Sequence, residues 1–237
     1  MLALTLFGVF FLIALAGVPL LFSILITTVG IIWAQDLGHP LETIFLSFIG
    51  GVEPFILLAV PLFIFAGELL AQGGVGKRIV EFARVLFGWL PGGLGVVTVM
   101  SCTMFGGVSG SAIADTAAIG SLVIPAMIAR GYSRGFAAAL LAVAGTIALL
   151  MPLSIPFLIY AFISGVSMRT LSMAGLLPAL ASAIALIVVC MWHGRKTGCD
   201  NGEDRSSLPQ IWAATRDAGP ALLMPVIIIG GKIFGWF

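Results

Sequence analysis

Charge is what this sequence has least of. Of its 237 residues only 9% are Asp, Glu, Lys or Arg, and 11 basic against 10 acidic side chains leave a formal net charge of +1. Nucleic acid is excluded as a partner, because there is no surplus of Lys and Arg to neutralise phosphates. Cysteine is scarce too: Cys102, Cys190 and Cys199 are odd in number and too widely spaced for a disulfide framework or a zinc pattern. They read as small core residues. The two histidines, His39 and His193, have no metal-ligating or acid–base company in the sequence. No nucleophile–base arrangement and no GxxxxGK[ST] phosphate loop is present, so the chain is not expected to be an enzyme, to use ATP or to hold a cofactor. What fills the sequence is apolar: 60% hydrophobic residues, with 30 glycines and 12 prolines, at a mean hydropathy of +1.19. That composition predicts an all-α polytopic membrane protein embedded in a lipid bilayer.

Residues 1–34 are apolar and uncharged, lack the basic start of a cleavable signal, and read as a transmembrane helix kinked at Pro19. Further apolar stretches at 54–72, 135–168, 170–194 and 218–237 are long enough to span. Lys77, Arg78, Arg84, Arg130, Arg134, Arg195, Lys196, Arg205 and Arg216 fall on one side if the N-terminus starts there. The connection from Asp36 to Glu53 falls on the other and holds only acids with His39. The positive-inside rule then places the N-terminus in the cytoplasm; Arg169 is the exception. Two pieces, Lys77 to Trp89 and Leu208 to Thr215, are amphipathic and are expected to lie flat at the interface. The polar run from Arg195 to Ser207 reads as a linker.

The block from 85 to 129 is broken by Pro91, Gly92, Gly93, Gly95, Gly106, Gly107 and Gly110. A re-entrant helical hairpin fits, with its turn over Gly106 to Gly110. The alternative starts the first helix at Val85 and makes two full crossings. Ser109-Gly110-Ser111 would form the hairpin tip. A helix starting at Ser111 presents amide donors to an anion, while hydroxyls and unwound carbonyls offer oxygen to Na⁺. The plainer alternative is a serine N-cap, with Gly106 and Gly110 allowing close helix packing. Asp115 follows on the same helical face in an otherwise uncharged block, as a candidate ion ligand, proton relay or partner for a cation elsewhere, or simply a wetted cap near the cytoplasmic mouth. Glu68 is a weaker case at the end of its span.

The second interruption is Met151-Pro152-Leu153-Ser154-Ile155-Pro156, inside the uncharged run from 135 to 168. Two prolines remove two amide donors, so the helix is expected to break there beside protein or a wet cavity; a kink without further role is the alternative. Gly145-Thr146 and Ser154 supply nearby polar groups.

At these positions the chain resembles the large membrane subunit of the tripartite ATP-independent periplasmic (TRAP) transporters of the C4-dicarboxylate type. The resemblance rests on Pro61 to Leu70 (PLFIFAGELL), Leu90 to Gly95 (LPGGLG), Phe105 to Gly120 (FGGVSGSAIADTAAIG), Pro125 to Leu140 (PAMIARGYSRGFAAAL) and Gly145 to Tyr160. Leu153 and Ala161 stand where the family usually carries a proline and a glycine. The resemblance implies an elevator-type, sodium-coupled carrier of an organic acid in the bacterial inner membrane. It implies two inverted repeats, each with a hairpin and a broken helix. Its partners would be a soluble periplasmic binding protein and a small four-helix membrane subunit. Substrate would meet Ser109, Gly110, Ser111, Pro152 and Ser154, and sodium would meet Ser109, Ser111, Gly145 and Thr146. The expected organisation is one membrane domain over 1–237. Scaffold-like helices and an interfacial helix occupy 1–90, the hairpin 91–131, and the broken helix 132–168. Further helices over 169–237 open a second repeat, which the end of the chain at Trp236-Phe237 cuts short. Other functions compatible with the residues are a dicarboxylate/sodium carrier without a binding protein and a non-transporting assembly subunit.

Overall fold

A computed structural model of the chain describes residues 2–34, 41–52, 55–152 and 154–234, and every regular element among them is helical. Asp36, His39, Glu53, Leu153 and Trp236-Phe237 lie outside the described residues. Three described stretches are long and apolar enough to cross a bilayer: Ala112–Ala129, Arg134–Ser164 and Met168–Thr197. The chain divides into two compact units, Met1–Phe55 and Ile56–Phe237.

The first unit contains α1 (Leu2–Leu15), α2 (Leu20–Ala34) and α3 (Leu41–Val52). Sequence alone predicts one kinked helix up to Ala34, but the chain is fully interrupted. Gly17 takes a left-handed φ of +89°, and Pro19 restarts the path into α2. The Ser23 hydroxyl donates to the Val18 and Pro19 carbonyls, at 3.1 and 3.3 Å, which gives the interrupted backbone local partners. The acidic connection expected before Glu53 is also partly helical, as α3.

The second unit runs through α4 (Phe55–Gln72), α5 (Val75–Phe87), α6 (Gly93–Ser109), α7 (Ala112–Ala129) and α8 (Arg134–Thr146). A 3₁₀ turn (Ile147–Leu150), α9 (Ile155–Ser164), α10 (Met168–Thr197) and α11 (Leu208–Phe234) follow. Its core is α6, which packs against α5, α7, α8, α10 and α11. Along α6 every residue except Met100 and Met104 is buried. Its threonines suit that apolar jacket because they satisfy themselves: Thr98 donates to the Leu94 carbonyl and Thr103 to the Val99 carbonyl, both at 2.8 Å. The turn expected to begin at Gly106 does not. Gly106 and Gly107 continue α6, and only Gly110, at φ +61°, reverses the chain.

Two further expectations change. The apolar face of α5 is covered by protein instead of lying against lipid: Ile79 and Ala83 are fully buried, and α5 packs on α6, α7 and α11. Leu208 to Thr215 is not a separate interfacial piece, because it continues unbroken as the first turns of α11, held alongside α5.

The polar run after α10 is docked. Asp200 is 3% exposed. Its Oδ2 accepts from the Leu94 amide at 2.8 Å, in the first turn of α6, and from the Tyr132 hydroxyl at 3.2 Å. Its Oδ1 accepts from Arg130 at 3.3 Å and from the Gly202 amide at 3.2 Å, and its carbonyl accepts from the Gly92 amide at 2.8 Å. A carboxylate at the positive end of α6 is the favourable arrangement. Burial, with the Asp200 charge beside it, pushes the Tyr132 phenol up, so it stays a donor. Glu203 adds a second anchor, accepting from Arg84 Nε at 2.8 Å and from Arg130.

Burial pushes the Glu203 carboxyl up, but hydrogen bonds from Arg84 and Arg130 outweigh it and hold the group below its usual 4.5. A depressed folded value means that this anchor contributes fully above the unfolded value and is lost as pH falls through the lower folded one. Acidification below 4.5 is therefore expected to lower the protection factor, the observed exchange compared with the intrinsic rate at the same pH, of the Glu203 amide, which donates to the Gly88 carbonyl at 2.8 Å. A protection factor equal to that at neutral pH would contradict the anchor.

Candidate functional site

The hairpin of α6 and α7 turns on three residues. Ser109 ends α6, Gly110 donates its amide to the Gly106 carbonyl at 3.1 Å, and Ser111 is extended, at φ −121° and ψ 108°. Ser111 is the N-cap of α7, its hydroxyl accepting from the Ala114 amide at 3.4 Å. Its own amide donates to Ser109 Oγ at 3.2 Å. The Ser109 hydroxyl in turn donates to Asp115 Oδ1. Ser109 and Asp115 are both buried, Asp115 completely, and Asp115 Oδ2 has no hydrogen-bond partner. Gly67 of α4 lies against this tip: a Cβ there would sit 3.7 Å from the Ser109 Cβ and carbonyl oxygen.

The break between α8 and α9 is real. After the 3₁₀ turn, Met151 swings to ψ 151°, and α9 restarts with Ser154 as N-cap and Pro156 in its first turn. Ser154 is buried, its hydroxyl accepting from the Phe157 amide at 3.4 Å. The buried Pro152 carbonyl, freed by the break, accepts from Ser172 of α10 at 2.9 Å. Neighbouring helix thus satisfies the interrupted backbone. Ser172→Ala would leave that acceptor buried and unpaired, an expected loss of about 1–3 kcal/mol. A melting temperature equal to wild type would argue against it.

Hairpin and break meet along two glycines. A Cβ on Gly106 would lie 2.7 Å from both Cα and Cβ of Ala148 in the 3₁₀ turn, and 2.9 Å from Asp115 Oδ2. A Cβ on Gly145 would strike the Thr116 hydroxyl and lie 3.4 Å from the Ala112 carbonyl. Of the residues singled out in the sequence, Ser109, Gly110, Ser111 and Asp115 cluster at the tip, and Gly145 lies against the start of α7. Thr146 is exposed, and its hydroxyl donates to Val143 at 2.7 Å. Glu68 is exposed and accepts from Gln72 at 2.8 Å. His193 stacks on Phe136 at 3.8 Å between ring centroids.

Four contributors went unnoticed in the sequence: Gly67, Thr116, Ala148 and Ser172. The signal for Thr116 was available, since it follows Asp115 directly on α7. No three His, Cys, Asp or Glu side chains among the described residues are grouped to hold a metal. The oxygens along this seam include the Ala112 carbonyl, the Thr116 hydroxyl and the unpaired Asp115 Oδ2, hard donors of the kind an alkali ion takes.

A helical hairpin against a broken helix, in an apolar setting that also buries Asp115, is an architecture known from membrane carrier sites. The chain matches the model of the tripartite ATP-independent periplasmic transporter, DctM component, over residues 2–237, and it belongs to that family. It is 36% identical over 230 residues to an isethionate TRAP transporter permease, DctMQ, of Oleidesulfovibrio alaskensis, covering 97% of this chain and 36% of that protein. It is 35% identical over 249 residues to the C4-dicarboxylate TRAP transporter large permease DctM of Rhodobacter capsulatus, covering 99% of this chain and 56% of that protein. With the sialic acid TRAP transporter large permease SiaM of Vibrio cholerae the identity is 37% over 224 residues, covering 94% of this chain and 50% of that protein. The chain thus spans about half, or less, of the relatives it matches. This is a family of transporter components, not of enzymes.

Proposed function

We propose that this chain is the first inverted repeat of a large permease subunit that takes up a small organic acid with sodium by an elevator motion. The observation that carries the reading is the seam where Gly106 meets Ala148 and Gly145 meets Ala112 and Thr116, which sets the hairpin tip beside the helix break. Sodium would be held there by oxygens from Ser109, Ser111, Gly145 and Thr146. The acid would sit against Ser109, Gly110 and Ser111 on one side and Pro152 and Ser154 on the other. Two helix N-termini start in this region, those of α7 and α9, and their first-turn amides favour an anion where no Lys or Arg is at hand. Asp115 lies behind the tip as the candidate ion or proton relay. The relatives' names share an anionic organic acid and not one carbon skeleton, so the substrate proposed is that class, C4-dicarboxylates included.

The hairpin would be re-entrant. The reading rests on α6, whose 17 residues reach about 25 Å at 1.5 Å per residue, short of a bilayer core of about 30 Å, while α7 is just long enough to cross. The N-terminus would lie in the cytoplasm, the orientation that the basic loops favour, with the protein in the bacterial inner membrane. Its partners would be a small four-helix membrane subunit and a soluble periplasmic binding protein that delivers the acid.

Uptake by the full-length permease in proteoliposomes tests this. Ser111→Ala is expected to raise the sodium concentration for half-maximal uptake about tenfold or more, the scale of losing one polar contact to a charged group, about 1.5–3 kcal/mol. Uptake should require added binding protein. Sodium dependence unchanged in both Ser109→Ala and Ser111→Ala would refute the site, and full uptake without binding protein would favour the simpler carrier.

A further inference from the structure

We propose that the C-terminal end of α10 is a binding site for an anionic phospholipid, whose headgroup meets Trp192, Arg195, Lys196 and Arg134.

The acyl part of the site is a stripe along α10. Met173, Leu177, Leu180, Ile184, Val188 and Trp192 are exposed and follow one another three or four residues apart, so they form one continuous face. From Met173 to Trp192 that face rises about 28 Å at 1.5 Å per residue, close to the ~30 Å of a hydrocarbon core. Trp192 therefore stands at the level where the hydrocarbon ends, the place that tryptophan favours. Arg195 and Lys196 come three and four residues later, about 4.5 and 6 Å further along the axis, at the depth of the lipid phosphates. Lys196 Nζ lies 5.0 Å from the centre of the Trp192 ring, which holds the ammonium over the end of the stripe.

Helix packing brings a third cation to the same end. His193 of α10 stacks on Phe136 of α8, 3.8 Å between ring centroids, and its ring lies 6.1 Å from that of Tyr132. Tyr132 is buried and donates to Asp200, so this stack belongs to the packed fold. Arg134 opens α8 two residues before Phe136 and is exposed.

The three charges have no counterpart in the fold. Among the described residues no acid pairs with Arg134, Arg195 or Lys196: Asp200 and Glu203 are held by Arg130 and Arg84, Glu81 by Arg84 and Asp217 by Arg78. Asp204 lines a separate cleft with Glu81 and Gln210. The α10 end itself carries only about half a negative charge. A protein surface laid over this end would bury three cations and would need acids of its own to offset the cost. A bilayer covers the apolar stripe, leaves the cations at its polar surface and supplies phosphates to them. Charge complementarity and the height of the stripe thus both select a lipid.

The test places the full-length permease in phosphatidylcholine vesicles that contain phosphatidylglycerol. One lipid or the other carries brominated chains, which quench tryptophan emission on contact. Subtracting the emission of Trp192→Phe isolates the signal of Trp192. Brominated phosphatidylglycerol is expected to quench that signal at a lower mole fraction than brominated phosphatidylcholine does. Arg195→Gln/Lys196→Gln should lower this preference about thirtyfold and Arg134→Gln about fivefold, at about fivefold for each cation lost near a membrane surface. Lys77→Gln/Arg216→Gln removes the same charge from exposed positions on α5 and α11 and should keep the wild-type preference. Equal quenching by the two lipids in wild type would overturn the proposal, and so would an Arg134→Gln curve that overlays wild type. An equal loss in the two double variants would mean diffuse attraction and no site. Inorganic phosphate that restores the emission, at matched ionic strength, would mean that this end takes a free anion and would overturn the lipid assignment.

Discussion

Gly92→Ala is expected to lower stability by roughly 2–5 kcal/mol, combining the cost of a side chain in the left-handed region with that of overpacking. Gly92 has φ +70° and is the N-cap of α6. A Cβ there would lie 2.9 Å from the Cys190 carbonyl carbon and closer still to its oxygen, and both are backbone atoms of α10 that cannot rotate away. The contact is mutual, since a Cβ on Gly194 would strike the Gly92 amide nitrogen. Any shift that relieved the clash would also pull Gly92 from the Asp200 carbonyl and Leu94 from the Asp200 carboxylate. Gly135→Ala is the control. Its Cβ meets nothing within 4 Å, and alanine in a helix is worth up to about 1 kcal/mol over glycine. Melting of the purified protein should fall by many degrees in the first variant and hold or rise in the second. A Gly92→Ala protein that melts with wild type would show that α6 and α10 are not in backbone contact.

That contact could not be read from the sequence, and the reason is general to this chain. Interruptions were legible where the backbone itself is constrained: the break at Pro152 to Pro156 and the reversal at Gly110 follow from missing amides and a left-handed turn. Glycine gives a false turn signal where it serves packing. Gly106 and Gly107 looked like a turn but continue α6, because Gly106 is needed for the approach of Ala148 and not for its own φ. Pro19 alone predicts only a kink, but its effect combines with the left-handed Gly17 to interrupt the chain fully.

The tip residues Ser109, Gly110, Ser111 and Asp115 lie within seven positions of one another, so their meeting was foreseeable. Gly67, Ala148 and Ser172 reach the same region from other helices, and a sequence pattern holds no record of that. The same limit hid the burial of α6. An apolar face reads alike whether lipid or protein covers it, so the face of α5 that looked interfacial is in fact part of the core.

Asp200→Ala is the second large effect expected, and it decides whether the polar run after α10 is a tether or a structural part. Its partners lie 70, 68 and 106 positions away, at Arg130, Tyr132 and Leu94. Removing the carboxylate strips the first turn of α6 of its acceptor and leaves the Tyr132 hydroxyl without it. Arg130 keeps Glu203 and is 32% exposed, so water makes up part of its loss. The expected cost is therefore about 3 kcal/mol, the lower end of the range for breaking a buried pair. Asp200→Asn should fall between, since its amide oxygen can still accept from Leu94 while its charge toward Arg130 and the helix end is gone. A local readout separates undocking from general weakening. Arg205 stacks over Trp89 at 4.4 Å from the ring centroid, which holds the neighbouring backbone in place. Trypsin should cut after Arg205 much faster in Asp200→Ala than in wild type, and before the helices themselves are degraded. Equal cleavage rates with an equal melting temperature would mean that α6 is held by its apolar jacket alone and that Asp200 merely rests against it.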